Sequence, residues 1–325
     1  MKAAVVTEQG LVVKEVPVPK PGPEQVLIRL RAIGLNRADL GVAAGHKHGA
    51  IGGPGAIPGL EGAGEVVEVG SEVPDSVRPG MRVMASMAAS YAEYALADWG
   101  RVAPVPDSNL SWEQAATLPI ALQTMHDAVV THGLCKPGSA VMIQGASSGV
   151  GLMGLQIARL MGASVVVGSS TNPEKRARLA EFGATLAVDT NDRGWVQQVL
   201  DATGGRGMDA VVDQISGKLV SQTLAATAIL GRIVNVGRLG GAVAEFDFDL
   251  HAARRISYIG VTFRTRSVAE VREIVRRMRA DLWPALTEGK LALPLDRVFH
   301  LDEVVEALAH MKANRHFGKI AMVTA

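Results

Sequence analysis

The chain has 325 residues, 48% of them hydrophobic, and a mean hydropathy of +0.19. This length predicts two domains with buried cores. The 33 Lys and Arg residues nearly balance the 32 Asp and Glu residues. The net charge of +1 therefore excludes a global positive field that would recruit nucleic acid or an anionic membrane.

Cysteine usage and hydropathy predict the compartment. The single cysteine, Cys135, has no partner for an internal disulfide, and no signal-like run or bilayer-length apolar stretch is present in the sequence. We therefore expect a cytoplasmic protein without nucleic-acid or membrane partners.

Short alternating segments punctuated by proline and glycine predict a β-rich first domain. The predicted strands are 2–7, 12–15, 25–31, 61–69, 81–84 and 91–97. The segment from Gly45 to Gly59 is too rich in glycine and proline for regular structure. We expect it to form a mobile loop near the functional site.

An apolar run near the middle of the chain breaks into glycines and then into a helical pattern that extends to Met161. Glycines let the backbone approach phosphates, and the free N–H groups at a helix N-terminus bind negative charge. The turn is therefore a predicted pyrophosphate-binding loop. It consists of Gly145, Ala146, Ser147, Ser148, Gly149, Val150 and Gly151.

Strands and helices alternate after this loop, which is typical of a parallel sheet with crossover helices. The predicted strands are 139–144, 164–168, 186–188, 208–213, 232–236 and 257–261. They fill one Rossmann domain, a doubly wound α/β fold. Asn172 and Pro173 predict a helix N-terminus, whereas Gly162 and Gly183 predict helix ends.

The last part of the chain predicts helices at 267–286 and 301–313 and a final strand at 319–323. We expect this tail to return to the first domain. The predicted boundaries are therefore 1–119 for the first segment of the β-rich domain, 120–262 for the Rossmann domain and 263–325 for the returning segment.

Several segments resemble, in order, the zinc-independent quinone oxidoreductases of the medium-chain dehydrogenase/reductase superfamily. These segments are 34–40, 58–64, 91–94, 145–151 and 317–320. The resemblance covers essentially the whole chain. It implies a GroES-like substrate domain in two segments, a Rossmann domain between them and an active-site cleft at their junction. Such proteins are usually dimers or tetramers, and we expect a homodimer.

The glycine loop also resembles that of short-chain dehydrogenases. Those enzymes need a Tyr-x-x-x-Lys pair for acid–base chemistry. Lysine does not follow Tyr91, Tyr94 or Tyr258 at that spacing, and the loop comes too late in the chain. This family is therefore excluded.

The zinc alcohol dehydrogenases of the same superfamily differ at their metal ligands. Where they place a cysteine this chain has Asn36, and where they place a histidine it has Leu60. His46 and His48 lie close together, but two histidines without further ligands are more often solvated surface residues. We predict no metal.

Without a metal, the residues favour hydride transfer to a conjugated acceptor. A quinone or an activated alkene spreads the incoming charge onto a distant oxygen, which neutral hydrogen-bond donors can stabilise. Asn36 offers an amide N–H, and Thr124 matches the threonine that lies beside the nicotinamide in the family. We expect quinones to be the substrates. Enone or enal reduction, and NADPH binding with little turnover, are the alternatives.

The end of the second Rossmann strand favours NADPH over NADH. NAD-binding enzymes usually carry an acid there that bonds the ribose and repels a 2′-phosphate. This chain has Ser169 and Ser170 instead, followed by cations on the next helix.

The resemblance assigns the remaining cofactor residues. Lys175 and Arg315 match cations that contact the 2′-phosphate, and Gly237, Phe263 and Lys319 complete the predicted set. Where the family often has a stacking tyrosine, this chain has Thr190.

Overall fold

A computed structural model describes residues 1–47, 49, 52–106 and 110–324. His48 and part of the predicted loop from Gly45 to Gly59 lie outside these residues. The chain forms two compact units, which we call unit 1 (Met1–Ile120 and Phe263–Ala325) and unit 2 (Ala121–Thr262). In the described ranges, no helix is both long and apolar enough to cross a membrane.

The secondary structure of the described residues follows two patterns, mainly antiparallel strands in unit 1 and alternating strands and helices in unit 2. The strands are β1 (Lys2–Thr7), β2 (Gly10–Glu15), β3 (Gln25–Gly34), β4 (Glu61–Val69), β5 (Arg82–Ser86), β6 (Tyr94–Asp98), β7 (Val102–Pro104), β8 (Ala140–Ile143), β9 (Val165–Ser169), β10 (Leu186–Val188), β11 (Met208–Asp213), β12 (Thr227–Asn235), β13 (Ser257–Gly260), β14 (Leu295–His300) and β15 (Lys319–Val323). The helices are α1 (Arg37–Ala43), α2 (Trp112–Ala116), α3 (Pro119–His126), α4 (Gly149–Leu160), α5 (Pro173–Ala177), α6 (Trp195–Ala202), α7 (Val220–Ala226), α8 (Phe248–Arg254), α9 (Val268–Thr287) and α10 (Val304–Lys312).

Unit 1 is organised by a sheet in which β3 is central. The strand order is β14-β15-β3-β4-β5-β7, and β6 also pairs with β3. Neighbouring strands are antiparallel except for β14 and β15, which run parallel. Apolar side chains of β3, including Ile28, Leu30 and Ile33, pack in one buried cluster with Val304 and Met311 of α10. The returning tail therefore supplies part of the core of unit 1.

Unit 2 is a six-stranded parallel sheet within the part of the chain that the structure describes, with the order β10-β9-β8-β11-β12-β13. All four residues of β8 are buried, as expected for a central strand that is covered on both faces. The strand order reverses between β8 and β11, and ligands bind at such switch points in open α/β sheets.

The predicted fold class is confirmed, because unit 1 is β-rich and unit 2 is a doubly wound parallel sheet. The N-terminus of α5 is also confirmed, since the Asn172 side chain accepts a hydrogen bond from Lys175 N at 2.9 Å. The prediction missed β14, most of which is exposed. Without a regular alternation of apolar residues, an edge strand gives a weak sequence signal.

Candidate cofactor and active-site residues

The loop between β8 and α4 depends on two of its glycines. Gly145 has φ +70°, which side chains other than glycine rarely adopt. A Cβ on Gly151 would lie 2.6 Å from the Gly145 carbonyl oxygen and 2.7 Å from Ala146 Cα. Both positions therefore need glycine, and the helix start lies directly against the loop.

The N-terminus of α4 presents open backbone donors. Ser148 Oγ accepts a hydrogen bond from Gly151 N at 3.0 Å. The N–H groups of Ser147, Gly149 and Val150 make no hydrogen bond to any described residue. Together with the positive end of the helix dipole, these N–H groups fit an anionic pyrophosphate.

The residue that ends β9 and the one after it, Ser169 and Ser170, carry hydroxyl groups and not carboxylates. Gly145 N donates to Ser169 Oγ at 3.1 Å, and Ala146 N donates to the Ser169 carbonyl oxygen at 2.9 Å. Ser170 Oγ lies 3.0 Å from Ser147 Oγ. The two serines therefore tie the end of the second strand to the glycine loop without adding a negative charge that would repel a phosphate.

The cations after β9 differ in their surroundings. Arg176 donates to the Ser170 carbonyl oxygen at 2.8 Å and pairs with Asp189 at 3.0 Å. Its guanidinium therefore connects the ends of β9 and β10 within unit 2. Arg178 pairs with Glu181 on the surface. Lys175 is half-buried in the first turn of α5, five residues after Ser170. It remains the predicted 2′-phosphate contact.

Gln214, which was not predicted from the sequence, connects the loop after β11 with the loop after β8 at the switch point of the sheet. Gln214 Nε2 donates to the Gln144 carbonyl oxygen at 3.0 Å, and Ser148 Oγ lies 3.3 Å from Gln214 Oε1. The predicted cofactor residue Gly237 lies beside it, because a Cβ there would be 2.6 Å from the Gln214 carbonyl oxygen. The position of Gln214 directly after a central strand is a signal that could have identified it.

Thr124 is the predicted catalytic residue in unit 2. It lies on α3 and is only 9% exposed. For comparison, the Thr223 hydroxyl on α7 donates to the carbonyl oxygen of Leu219, four residues earlier, at 2.8 Å. The Thr124 hydroxyl has no such bond to the described residues, so it is available to a ligand.

Three strand ends meet around Asn36 in unit 1. Strands β4 and β15 both run antiparallel to β3, so their first residues, Glu61 and Lys319, lie beside the end of β3. Asn36 follows that end after one residue, Leu35. The last residue of β3 is Gly34, where a Cβ would lie 2.7 Å from Glu61 Oε1. Any larger residue at position 34 would therefore clash with the Glu61 carboxylate.

The Asn36 side chain is held at both ends. Its Nδ2 donates to Glu61 Oε1 at 2.8 Å, and its Oδ1 accepts from Lys319 Nζ at 2.9 Å. Glu61 Oε2 accepts from Ile120 N at 2.8 Å. Because an amide nitrogen carries two hydrogens, one Asn36 N–H remains for a ligand.

The expectation that Lys319 binds the cofactor does not fit its contacts. Lys319 is 4% exposed, and its ammonium donates to Leu35 O, Asn36 Oδ1 and Glu61 Oε1 at 2.8, 2.9 and 2.6 Å. A lysine has three N–H donors, so none remains for a phosphate. Lys319 therefore belongs to the Asn36 cluster.

The other predicted cofactor residues of unit 1 lie outside this cluster. Phe263 is half-buried, with the Arg266 guanidinium 5.7 Å from the centre of its ring. Arg315 is exposed. Both roles remain predictions.

Asp39 holds Asn36 from the other side. Its Oδ2 accepts hydrogen bonds from Asn36 N at 2.8 Å and from the Tyr91 hydroxyl at 2.9 Å, while its Oδ1 is buried without a partner among the described residues. Burial raises the pKa of Asp39 to about 7, although these two hydrogen bonds oppose the shift. Asp39 is thus a buried carboxyl group that titrates near neutral pH.

The described ranges contain no group of three or more His, Cys, Asp or Glu side chains that could hold a metal ion. Cys135 is a free thiol, and burial raises its pKa to about 11. A thiol with this pKa stays protonated at neutral pH and is a poor nucleophile.

Family models match both units. A model described as "Alcohol dehydrogenase GroES-like domain" matches residues 22–107, and one described as "Zinc-binding dehydrogenase" matches residues 149–280. The chain belongs to the medium-chain dehydrogenase/reductase superfamily. The resemblance seen in the sequence is confirmed at this level.

Two full-length comparisons support the assignment to this superfamily. The quinone oxidoreductase-like protein 2 of Bos taurus is 27% identical over 325 residues, which cover 99% of this chain and 92% of that protein. The solved structure of a mycobacterial protein complexed with NADPH is 26% identical, covers 100% of both chains and has a TM-score of 0.87.

Other similar proteins are much longer. A highly reducing polyketide synthase of Glarea lozoyensis is 30% identical over 307 residues, which cover 93% of this chain and 12% of the synthase. The chain spans between 5% and 14% of the length of the polyketide synthases that it matches.

The raised pKa of Asp39 predicts a pH-dependent stability. Between about pH 4 and 7 the folded protein keeps a proton that the unfolded chain has released, so stability decreases as the pH rises through this window, by up to ~4 kcal/mol. The variant Asp39→Asn should lack this decrease when unfolding by urea is measured from pH 4 to 8. The exposed Asp75→Asn variant is the control. Parallel curves for the wild type and Asp39→Asn would contradict the assignment.

Proposed function

We propose that the protein is an NADPH-dependent oxidoreductase that transfers hydride to quinones without a metal. The observation that carries the proposal is the Asn36 amide, which is held by Glu61 and Lys319 and keeps one N–H available. The similarity to a quinone oxidoreductase-like protein supports this substrate class.

The residues of unit 2 fit a dinucleotide. The N–H groups at the start of α4 suit the pyrophosphate. Glycine at position 151 lets the glycine loop pack closely against this helix start, because a Cβ there would clash with the loop backbone. The serines at 169 and 170 place no acid where a 2′-phosphate would lie, and Lys175 is the proposed cation for it. The mycobacterial structure complexed with NADPH supports this choice of cofactor.

The proposed reaction balances as one hydride and one proton. NADPH, when bound, would be the source of the hydride with both its electrons and would leave as NADP⁺. A quinone that gains this hydride becomes a hydroquinone anion, which takes a proton from solvent to form the hydroquinone. The available N–H of Asn36 would stabilise the negative oxygen while the charge develops. In unit 2, the Thr124 hydroxyl is proposed to lie beside the nicotinamide, as the resemblance implies.

The residues around Asn36 favour this chemistry without zinc. Zinc sites in dehydrogenases need thiolate, imidazole or carboxylate ligands and one open position. Asn36 and Leu60 supply neither a thiolate nor an imidazole, and the Glu61 carboxylate is occupied by Lys319 at 2.6 Å. A bound zinc would have to displace this buried ion pair.

A second candidate is reduction of a C=C bond conjugated to a carbonyl group. The similarity to highly reducing polyketide synthases favours it. The same Asn36 donor would then stabilise an enolate oxygen, so the two candidates share one site and differ in the acceptor.

We also propose a homodimer that forms through unit 2. Strand β13 lies at the edge of the sheet, and its residues are mostly exposed. Next to it, Val243 and Phe248 are 91% and 75% exposed beside a cavity of about 700 Å³. Exposed apolar side chains grouped at a sheet edge are typical of an interface.

Cofactor choice is tested with Lys175→Ala. This variant should bind NADPH more weakly by about 1.5–3 kcal/mol, because a charge-assisted hydrogen bond to the 2′-phosphate is lost. NADH binding should hardly change. Fluorescence titration of both cofactors measures the difference, with Arg178→Ala as the control. Equal affinity of the wild type for NADPH and NADH would contradict the choice of NADPH.

The acceptor is tested with 1,4-benzoquinone, 2-cyclohexenone and hexanal, each with NADPH and product analysis. We expect reduction of the conjugated acceptors and not of hexanal. Asn36→Ala should lower the rate about a hundredfold or more, as loss of one oxyanion donor does. Reduction of hexanal alone would overturn the proposal. Tight NADPH binding without any reduction would instead favour a binding protein.

The dimer is tested by light scattering. The wild type should have twice the mass of the chain, and the double variant Val243→Asp/Phe248→Asp should be monomeric, because it buries two carboxylates in the proposed interface. Val305→Asp, which changes an exposed valine of unit 1, is the control. A monomeric wild type, or a double variant that remains dimeric, would disprove this interface.

A further inference from the structure

The hydrogen bonds of Lys319 determine which way the Asn36 amide points. An asparagine side chain can turn by 180° and exchange its oxygen and nitrogen with little change in shape. An ammonium group only donates and an ionised carboxylate only accepts. The acceptor of the Lys319 ammonium must therefore be Oδ1 of Asn36, at 2.9 Å. The donor to Glu61 Oε1 must be Nδ2 of Asn36, at 2.8 Å.

The backbone of Asn36 is fixed as well. Its N–H donates to Asp39 Oδ2 at 2.8 Å, and the Leu35 carbonyl oxygen accepts from Lys319 at 2.8 Å. Asn36 itself is only 8% exposed. With one orientation of the amide and a fixed backbone, the second Nδ2 hydrogen has a defined direction before any ligand binds.

Pre-organised donors are effective because they need no reorientation when charge develops on the substrate. Without Lys319, the amide could turn and present its oxygen, which would repel a developing oxyanion.

We propose that Lys319 is a positioning residue for the reduction of conjugated acceptors, and that it acts through Asn36 and not through the cofactor. The inference rests on the proposed function. It replaces the role that the sequence analysis gave Lys319, and it makes a different prediction for cofactor binding.

A double-mutant cycle tests the inference on the full-length protein. Lys319→Met, Asn36→Ala and the double variant are compared with the wild type in single-turnover reduction of 1,4-benzoquinone at saturating NADPH. Asn36→Ala should react about a hundredfold or more slowly than the wild type, and Lys319→Met at least about tenfold more slowly. The double variant should react no more slowly than Asn36→Ala, because residues that act as a unit are not additive.

NADPH titration provides the readout that does not depend on turnover. The dissociation constant should stay within twofold of the wild type in Lys319→Met and should rise clearly in Lys175→Ala. The control is Lys290→Met, which removes a lysine paired with Glu288 on the surface and should change neither the rate nor the affinity.

The outcomes separate the inference from the proposed function. If the wild type reduces no conjugated acceptor, the proposed function fails. The positioning role fails if the wild type is active but the rate losses of Lys319→Met and Asn36→Ala multiply in the double variant. It also fails if Lys319→Met weakens NADPH binding tenfold and keeps the rate of the wild type. Circular dichroism and thermal unfolding establish that each variant is folded. If Lys319→Met does not fold, Lys319→Gln is measured instead with the opposite expectation. Because it keeps an N–H for Asn36 Oδ1, its rate should stay close to that of the wild type, and a loss as large as that of Asn36→Ala would contradict the positioning role.

Discussion

The buried ion pair between Lys319 and Glu61 is the interaction on which the candidate site in unit 1 depends. It joins the first residues of two strands that flank β3, and the two side chains are 4% and 0% exposed. Loss of either partner would leave an uncompensated buried charge, which typically costs 3–5 kcal/mol. The pair therefore fixes the strand ends and, through them, the loop that carries Asn36.

The antiparallel topology explains how residues far apart in sequence form this cluster. Glu61 comes 25 residues after Asn36, whereas Lys319 comes 283 residues after it. The tail has to return to unit 1 and pair with β3 before Lys319 can reach Asn36. The function that we propose thus depends on the long-range pairing that also completes the sheet of unit 1.

Local features could be predicted from the sequence, and long-range contacts could not. The glycine loop, the Rossmann strands and the cap at Asn172 each depend on residues close together in the chain, so a short window contains the signal. The contacts of Lys319 with Asn36 and Glu61 were not predicted, because resemblance alone does not reveal what a lysine contacts. Its occurrence at the start of an otherwise apolar strand was a signal for a buried partner.

Other elements were missed for the same physical reasons. Strand β14 is an exposed edge strand, so its side chains do not alternate clearly. The contact of Gln214 with Ser148 of the glycine loop spans 66 residues. It depends on the order of the strands in the sheet, which the sequence does not give directly. Thr124 was predicted from the resemblance, but only the structure shows that its hydroxyl makes no hydrogen bond to the described residues.

We propose that the Asn36 amide, held by Lys319 and Glu61, replaces the metal ligand that the zinc enzymes of this superfamily carry at this position. The most direct measurement is the zinc content of the purified protein together with its NADPH-dependent reduction of 1,4-benzoquinone, before and after dialysis against a chelator. We expect substoichiometric zinc and an unchanged rate. A full equivalent of zinc whose removal abolishes the reduction, and whose return restores it, would disprove the metal-free reaction.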